Sequence, residues 1–190
     1  CIISPNYTEN ASNDEHNESD IQVIPYPSRS SKSINDILYS FGVILGSIIR
    51  TGNNHEIPFP SFVWNFLAGK TITKSDIYEN DSRLKDEIIG LKNGSITDHL
   101  WVYRDWNNVI KQINGCPFNK FVPQDLAEVY ETLVIDLRIE SIEKFLIEIR
   151  RGLWDNQNIQ TPQFLSGGLL SFLSQGKKSL NMYEIIKKII

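Results

Sequence analysis

Leu38-Tyr39-Ser40-Phe41-Gly42-Val43-Ile44-Leu45-Gly46-Ser47-Ile48-Ile49-Arg50-Thr51-Gly52 is the stretch on which the fold turns. Ile37, Leu38, Phe41, Ile44, Leu45, Ile48 and Ile49 recur at spacings of three and four, the period of an amphipathic helix. Ser33 with Asp36 three positions on predicts the helix start, and Thr51-Gly52-Asn53-Asn54 its end. Gly42 and Gly46 lie one turn apart, each costing about 1 kcal/mol relative to Ala inside a helix. That pairing predicts a second helix packed close against bare backbone. A membrane dimer on the same glycines is disfavoured, because Asn35, Asp36, Ser40 and Arg50 interrupt the segment. No uninterrupted apolar run approaches the roughly 18 residues of a membrane span.

Upstream, residues 4–33 are rich in Asn, Ser, Pro and acid and predict a long surface loop, anchored only by Ile21, Val23, Ile24 and Tyr26. Downstream, Pro58-Phe59-Pro60 resets the chain before a short aromatic helix, Phe62, Val63, Trp64, Phe66 and Leu67, closed by Gly69. Thr73 to Asp76 reads as a capped turn. Asp81 predicts the cap of a helix carrying Leu84, Ile88, Ile89 and Leu91, stopped by Asn93-Gly94. Leu100 to Tyr103 and Val109 to Ile113 are β-prone runs around Asp105-Trp106-Asn107-Asn108, which predicts a hairpin. Asn114-Gly115-Cys116-Pro117 predicts a further turn leading into a short strand. Helical period returns from Leu126 through Val129, Tyr130, Leu133, Val134, Leu137, Ile142, Phe145, Leu146 and Ile149, ending at Gly152. Thr161-Pro162 starts one further helix, and Asn181 with Glu184 starts the last, Met182 to Ile190.

Composition narrows the chemistry. The chain has 190 residues, 41% of them hydrophobic, which suits one globular domain. With 19 basic against 23 acidic side chains the net charge is −4, which disfavours nucleic acid and anionic membranes as partners. Two cysteines exclude a disulfide scaffold and a four-cysteine zinc site. The Asn-x-Ser/Thr triplets at Asn6, Asn10, Asn17, Asn80 and Asn93 follow from a chain heavy in Asn, and with no secretory signal a cytoplasmic or nuclear location is expected. Cys1 at one end and Ile189-Ile190 at the other predict a piece of a longer protein. His16, His55 and His99 stand far apart and read as loop or surface residues. No phosphate loop, Gly-x-Ser-x-Gly or His-Glu-x-x-His is present, and Gly167-Gly168 reads as a helix junction. Cys116 has no base or oxyanion donor by motif and reads as a buried or half-buried spectator; a cysteine hydrolase on it is the remote option. Asp76, Asp81 and Asp125 precede apolar runs and read as caps. From the residues alone the expectation is a helical binding domain without catalytic residues, metal or cofactor.

Read together, these segments resemble a known family. Residues 38–52 resemble the signature helix of the HECT domain of E3 ubiquitin ligases, and Pro58 to Gly69 is similar to the segment that follows it there. Thr71 to Ile77, Asp81 to Leu84, Val122 to Tyr130, Ile142 to Leu153 and Leu169 to Gly176 resemble further family stretches in collinear order, with Gln175 where a Cys is usual. Ser4-Pro5-Asn6, Tyr26 to Ser31 and Ile49 to Gly52 look most like the giant RCC1-repeat, HERC-type branch.

The resemblance implies a predominantly helical α+β fold, part of a HECT N-lobe. Residues 1–33 would be a partly mobile acidic loop, 34–80 large-subdomain helices, 81–135 a small hairpin-containing subdomain, and 136–190 a return to N-lobe helices. It further implies recruitment of a ubiquitin-charged conjugating enzyme (E2), with substrate proteins bound through other regions. Transfer would run through a C-lobe cysteine outside this chain, so the chain alone is expected to form no ubiquitin thioester. Carried over from the family, the E2 groove would be walled by Leu84 and Ile88 on one helix, Leu100 and Val102 on a strand, and Val129 on the next helix. Val129 stands where an aromatic is usual, and the connection from Leu91 to Leu100 is shorter. The strand register stays open by one residue between Leu100 with Val102 and Trp101 with Tyr103. The alternative is a HECT-derived interaction scaffold without ligase activity.

Overall fold

The computed structural model describes residues 2–3, 22–26, 31–51, 57–155 and 166–175. In chain order the elements are β1 (Ile2–Ile3), β2 (Val23–Ile24), α1 (Lys32–Thr51), α2 (Ser61–Leu67), α3 (Lys74–Asn80), α4 (Ser82–Asn93), β3 (Val102–Arg104), β4 (Ile110–Gln112), a 3₁₀ turn (Gln124–Leu126), α5 (Ala127–Asp155) and α6 (Gly167–Gln175). The expectations for the remainder of the 4–33 loop, His16, His55, the Thr161-Pro162 start and the helix from Met182 lie outside the described residues. The fold is predominantly helical α+β, as the sequence predicts.

The long apolar helix forms, but its cap is two residues earlier than predicted: the Ile34 amide donates to Ser31 Oγ at 3.3 Å. Its apolar stripe is wider than its buried face. Gly42, Leu45 and Gly46 are buried, whereas Ile37 and Ile44 are 63% and 57% exposed. The predicted close neighbour is α5, through two glycines facing each other. A Cβ on Gly42 would fall on the Ile149 carbonyl and lie 2.9 Å from the Leu153 amide; one on Gly152 would fall on the Tyr39 carbonyl and lie 3.0 Å from the Val43 amide. Gly152 therefore packs a helix crossing and does not end a helix, since α5 continues to Asp155. By length and hydropathy alone α1 is apolar enough to cross a membrane, which corrects the sequence reading; its glycine face is occupied by α5.

Caps follow the sequence closely. Thr73 and Asp76 form a reciprocal capping box, the Asp76 amide donating to Thr73 Oγ1 at 3.3 Å and the Thr73 amide to Asp76 Oδ2 at 2.7 Å. Asp81 Oδ1 accepts from the Leu84 amide at 3.0 Å, and Gly94 at φ 75° ends α4 in the left-handed conformation. Asp125 sits in the 3₁₀ turn, where no side-chain cap bond forms. β3 and β4 pair antiparallel, Val102 opposite Gln112 and Arg104 opposite Ile110. Asp105 organises the turn by accepting from the Asn107 and Val109 amides at 2.9 and 3.0 Å. After the Gly115 turn (φ 82°) no strand follows; Phe121 only forms a single bridge to Leu100. At the amino end, Ile2 and Ile3 pair antiparallel with Ile24 and Val23, and Ile24 and Tyr26 are buried anchors, Tyr26 edge-on to Phe145.

One continuous 29-residue helix, α5, runs across the boundary expected at 135 and links two packing regions. Its second half lies against α1 and α2, with Trp154 Nε1 donating to the Leu67 carbonyl at 2.9 Å. Its first half carries α3, α4 and the hairpin. At the junction Arg138, 1% exposed, pairs with the buried Asp81 carboxylate, donates to the Arg104 carbonyl at 3.0 Å and lies 4.1 Å over the Trp106 ring. Trp106 Nε1 returns a bond to the Arg138 carbonyl at 3.1 Å.

Candidate functional site

The site is built where α4, the strand and the start of α5 converge. Trp101 is 6% exposed and packs edge-on to the Tyr130 ring, so it takes the inward side of the strand. Leu100 lies before the strand, and the Val102 amide donates back to its carbonyl at 2.8 Å. Leu100 keeps 37% of its surface and Val102 is half-buried. Val129, in the first turn of α5, is 49% exposed. Leu84 and Ile88 behave differently. At 8% and 1% exposed they belong to the core. Phe121, bridged to Leu100 and 55% exposed, adds an aromatic ring beside it that the sequence reading did not single out.

The three elements meet at one atom. Tyr130 Oη lies 2.9 Å from Glu87 Oε1 on α4, 2.8 Å from the Val102 carbonyl on β3, and 2.7 Å from His99 Nε2. Burial, then the Glu87 charge, drive the Tyr130 pKa far upward, so the phenol keeps its proton. His99 is thus no loose surface histidine; it is wedged edge-on against Tyr130 and 3.2 Å from Glu87. The sequence showed Tyr130 as one more apolar position in a helical period. Its hydroxyl partners lie 28 to 43 residues away, beyond any local signal.

One residue further along α5, Glu131 binds α3 and α4. Its carboxylate accepts from Tyr78 Oη, pairs with Lys74, and takes a bond from Lys92 Nζ at 2.7 Å. Burial pushes the Glu131 pKa up, but these three donors outweigh it and hold the value at about 2. A carboxylate with a depressed folded pKa stabilises above its unfolded value and loses that contribution as pH falls through the folded one. The melting midpoint should therefore fall as pH drops from about 4.5 towards 2, with roughly 2 kcal/mol of the loss belonging to Glu131. Glu131→Gln should be less stable at pH 7 and show a shallower acid limb in a pH series of calorimetric melts; an unchanged acid limb refutes the assignment.

Cys116 is a free, half-buried thiol. Among the described residues no group of three or more His, Cys, Asp or Glu is placed to hold a metal ion. Around the Tyr130 hydroxyl, Leu100, Phe121 and Val129 are exposed and Val102 is half-buried, on elements tied together by buried polar bonds. No curated protein matches the chain. The family described as HECT-domain (ubiquitin-transferase) matches residues 2–190, almost the whole sequence. The chain therefore belongs to the HECT-domain family of ubiquitin transferases.

Proposed function

We propose that this chain is the E2-recruiting N-lobe part of a HECT ubiquitin ligase, and that Leu100, Val102 and Val129 contact the conjugating enzyme while Leu84 and Ile88 hold the floor. The observation that carries this reading is the meeting of α4, β3 and α5 at Tyr130 Oη, with Leu100 and Val129 exposed on the same elements or their approach. An aromatic anchor from a partner gains most where surrounding apolar groups exclude water. Phe121 enlarges this surface on the strand side.

Bond-making belongs, on this reading, to a cysteine outside residues 1–190, reached when the bound E2 delivers its ubiquitin. Substrate proteins are held elsewhere in the parent. Placement nearest the HERC-type branch rests on residues 4–6, 26–31 and 49–52, and upstream RCC1 repeats in the parent reading frame would support it.

The test is titration of the 190-residue chain with a panel of ubiquitin-charged E2 proteins, followed by NMR or calorimetry. Leu100→Glu and Val129→Glu, both at exposed positions, should weaken binding about tenfold or more and leave the melting midpoint nearly unchanged. Substitution at Leu84 or Ile88 would instead disturb the core. Silence from every E2, or full affinity in both variants, defeats the reading and favours the scaffold alternative. A ubiquitin adduct on Cys116 in the same mixtures would overturn the assignment of chemistry to another segment.

A further inference from the structure

We propose that Tyr130 is a positioning residue for partner binding: its hydroxyl, shared between Glu87 of α4, the Val102 carbonyl of β3 and His99, sets the spacing of the surfaces that receive the E2. The inference rests on the E2-recruiting reading and adds a residue that itself touches no partner.

Hydrogen counting gives the argument its force. A phenol has one proton to donate and two lone pairs to accept with. Glu87 Oε1 at 2.9 Å and the Val102 carbonyl at 2.8 Å are both acceptors, so a single proton serves α4 and β3. His99 Nε2 at 2.7 Å must then be the donor into the Tyr130 oxygen, which fixes the nitrogen that carries hydrogen. Neither wall can shift without stretching a bond to the same oxygen. Val129 directly precedes Tyr130 on α5, so the helix wall rides on that anchor too. The ring has 0% exposure and packs edge-on to His99 and Trp101 at 5.0 and 6.1 Å. Tyr130→Phe therefore keeps the packing and removes only the tie.

In the 190-residue chain, Tyr130→Phe should weaken binding of the E2 that the unaltered chain prefers by about tenfold. Trp154→Phe, which removes the bond to the Leu67 carbonyl at the far end of the same helix, should keep full affinity. Two readouts need no E2. Imidazole ¹⁵N shifts should report hydrogen on Nε2 of His99 in the unaltered chain and should move in Tyr130→Phe, where Glu87 at 3.2 Å is left as its acceptor. Amide exchange at residues 102–104 should rise in the same variant. Equal E2 affinity in Tyr130→Phe, or unchanged His99 shifts and hairpin exchange, overturns the proposal. If the unaltered chain binds no E2, the E2 reading fails by itself, and His99 with the hairpin amides still decides whether the hydroxyl holds these elements.

Discussion

Arg138→Met is expected to destabilise the chain by about 3 kcal/mol or more, read as a lower urea midpoint with an unchanged slope. The substituted side chain is long and apolar and fills much of the same space, so lost volume is not the cause. Arg138 is 1% exposed and Asp81 is 2% exposed. Removing the guanidinium leaves a carboxylate in the interior with only its cap bond to the Leu84 amide. It also frees the Arg104 carbonyl and uncovers one face of Trp106. Burial already pulls the Arg138 pKa down, a sign that the site holds its charge against a desolvation cost. That cost makes the second half of the experiment informative. Asp81→Asn keeps a cap acceptor and removes the stranded charge, so the double variant should recover about 1–2 kcal/mol of the loss. A single variant costing under about 1 kcal/mol would show that the pair is replaceable packing.

This junction also shows where the sequence stops being informative. Asp81 was legible as a helix cap because that role is written within three residues of it. Its second role depends on Arg138, 57 positions away, and leaves no local mark. Thr73 with Asp76, the aromatic helix to Leu67, the Asp105 turn and Gly94 were legible for the same local reason. The β1–β2 pair was not, since two-residue strands joined across twenty residues carry no period. At the candidate site, alternation left two faces open for residues 100–103; the burial of Trp101 against Tyr130 depends on a residue 29 positions away. Helical spacing likewise marked Leu84 and Ile88 as apolar without separating a core position from a groove wall. The polar bonds that tie α4, β3 and α5 together at Tyr130 were hidden, because their partners lie 28 to 43 residues apart.

The α1–α5 crossing gives the other large effect, and here two principles oppose each other in sign. In an exposed helix Gly→Ala gains about 1 kcal/mol through propensity. At Gly42 or Gly152 the added carbon would meet backbone of the facing helix, and backbone cannot swing aside as a flexible side chain does. The contact should win. Gly152→Ala is expected to lower the melting midpoint, and Gly152→Val to cost about 3 kcal/mol. The reciprocity supplies a sharper test than either variant alone. Gly42 meets Ile149 and Leu153, three residues before and one after Gly152, and Gly152 meets Tyr39 and Val43, three before and one after Gly42, so both substitutions demand the same separation of axes. Once one has forced the helices apart, the second finds the space already open. The Gly42→Val, Gly152→Val double variant should therefore cost clearly less than the sum of its parts, a coupling of about 1 kcal/mol or more. Strict additivity, or a rise in stability on Gly152→Ala, would mean that the two helices do not meet through these glycines.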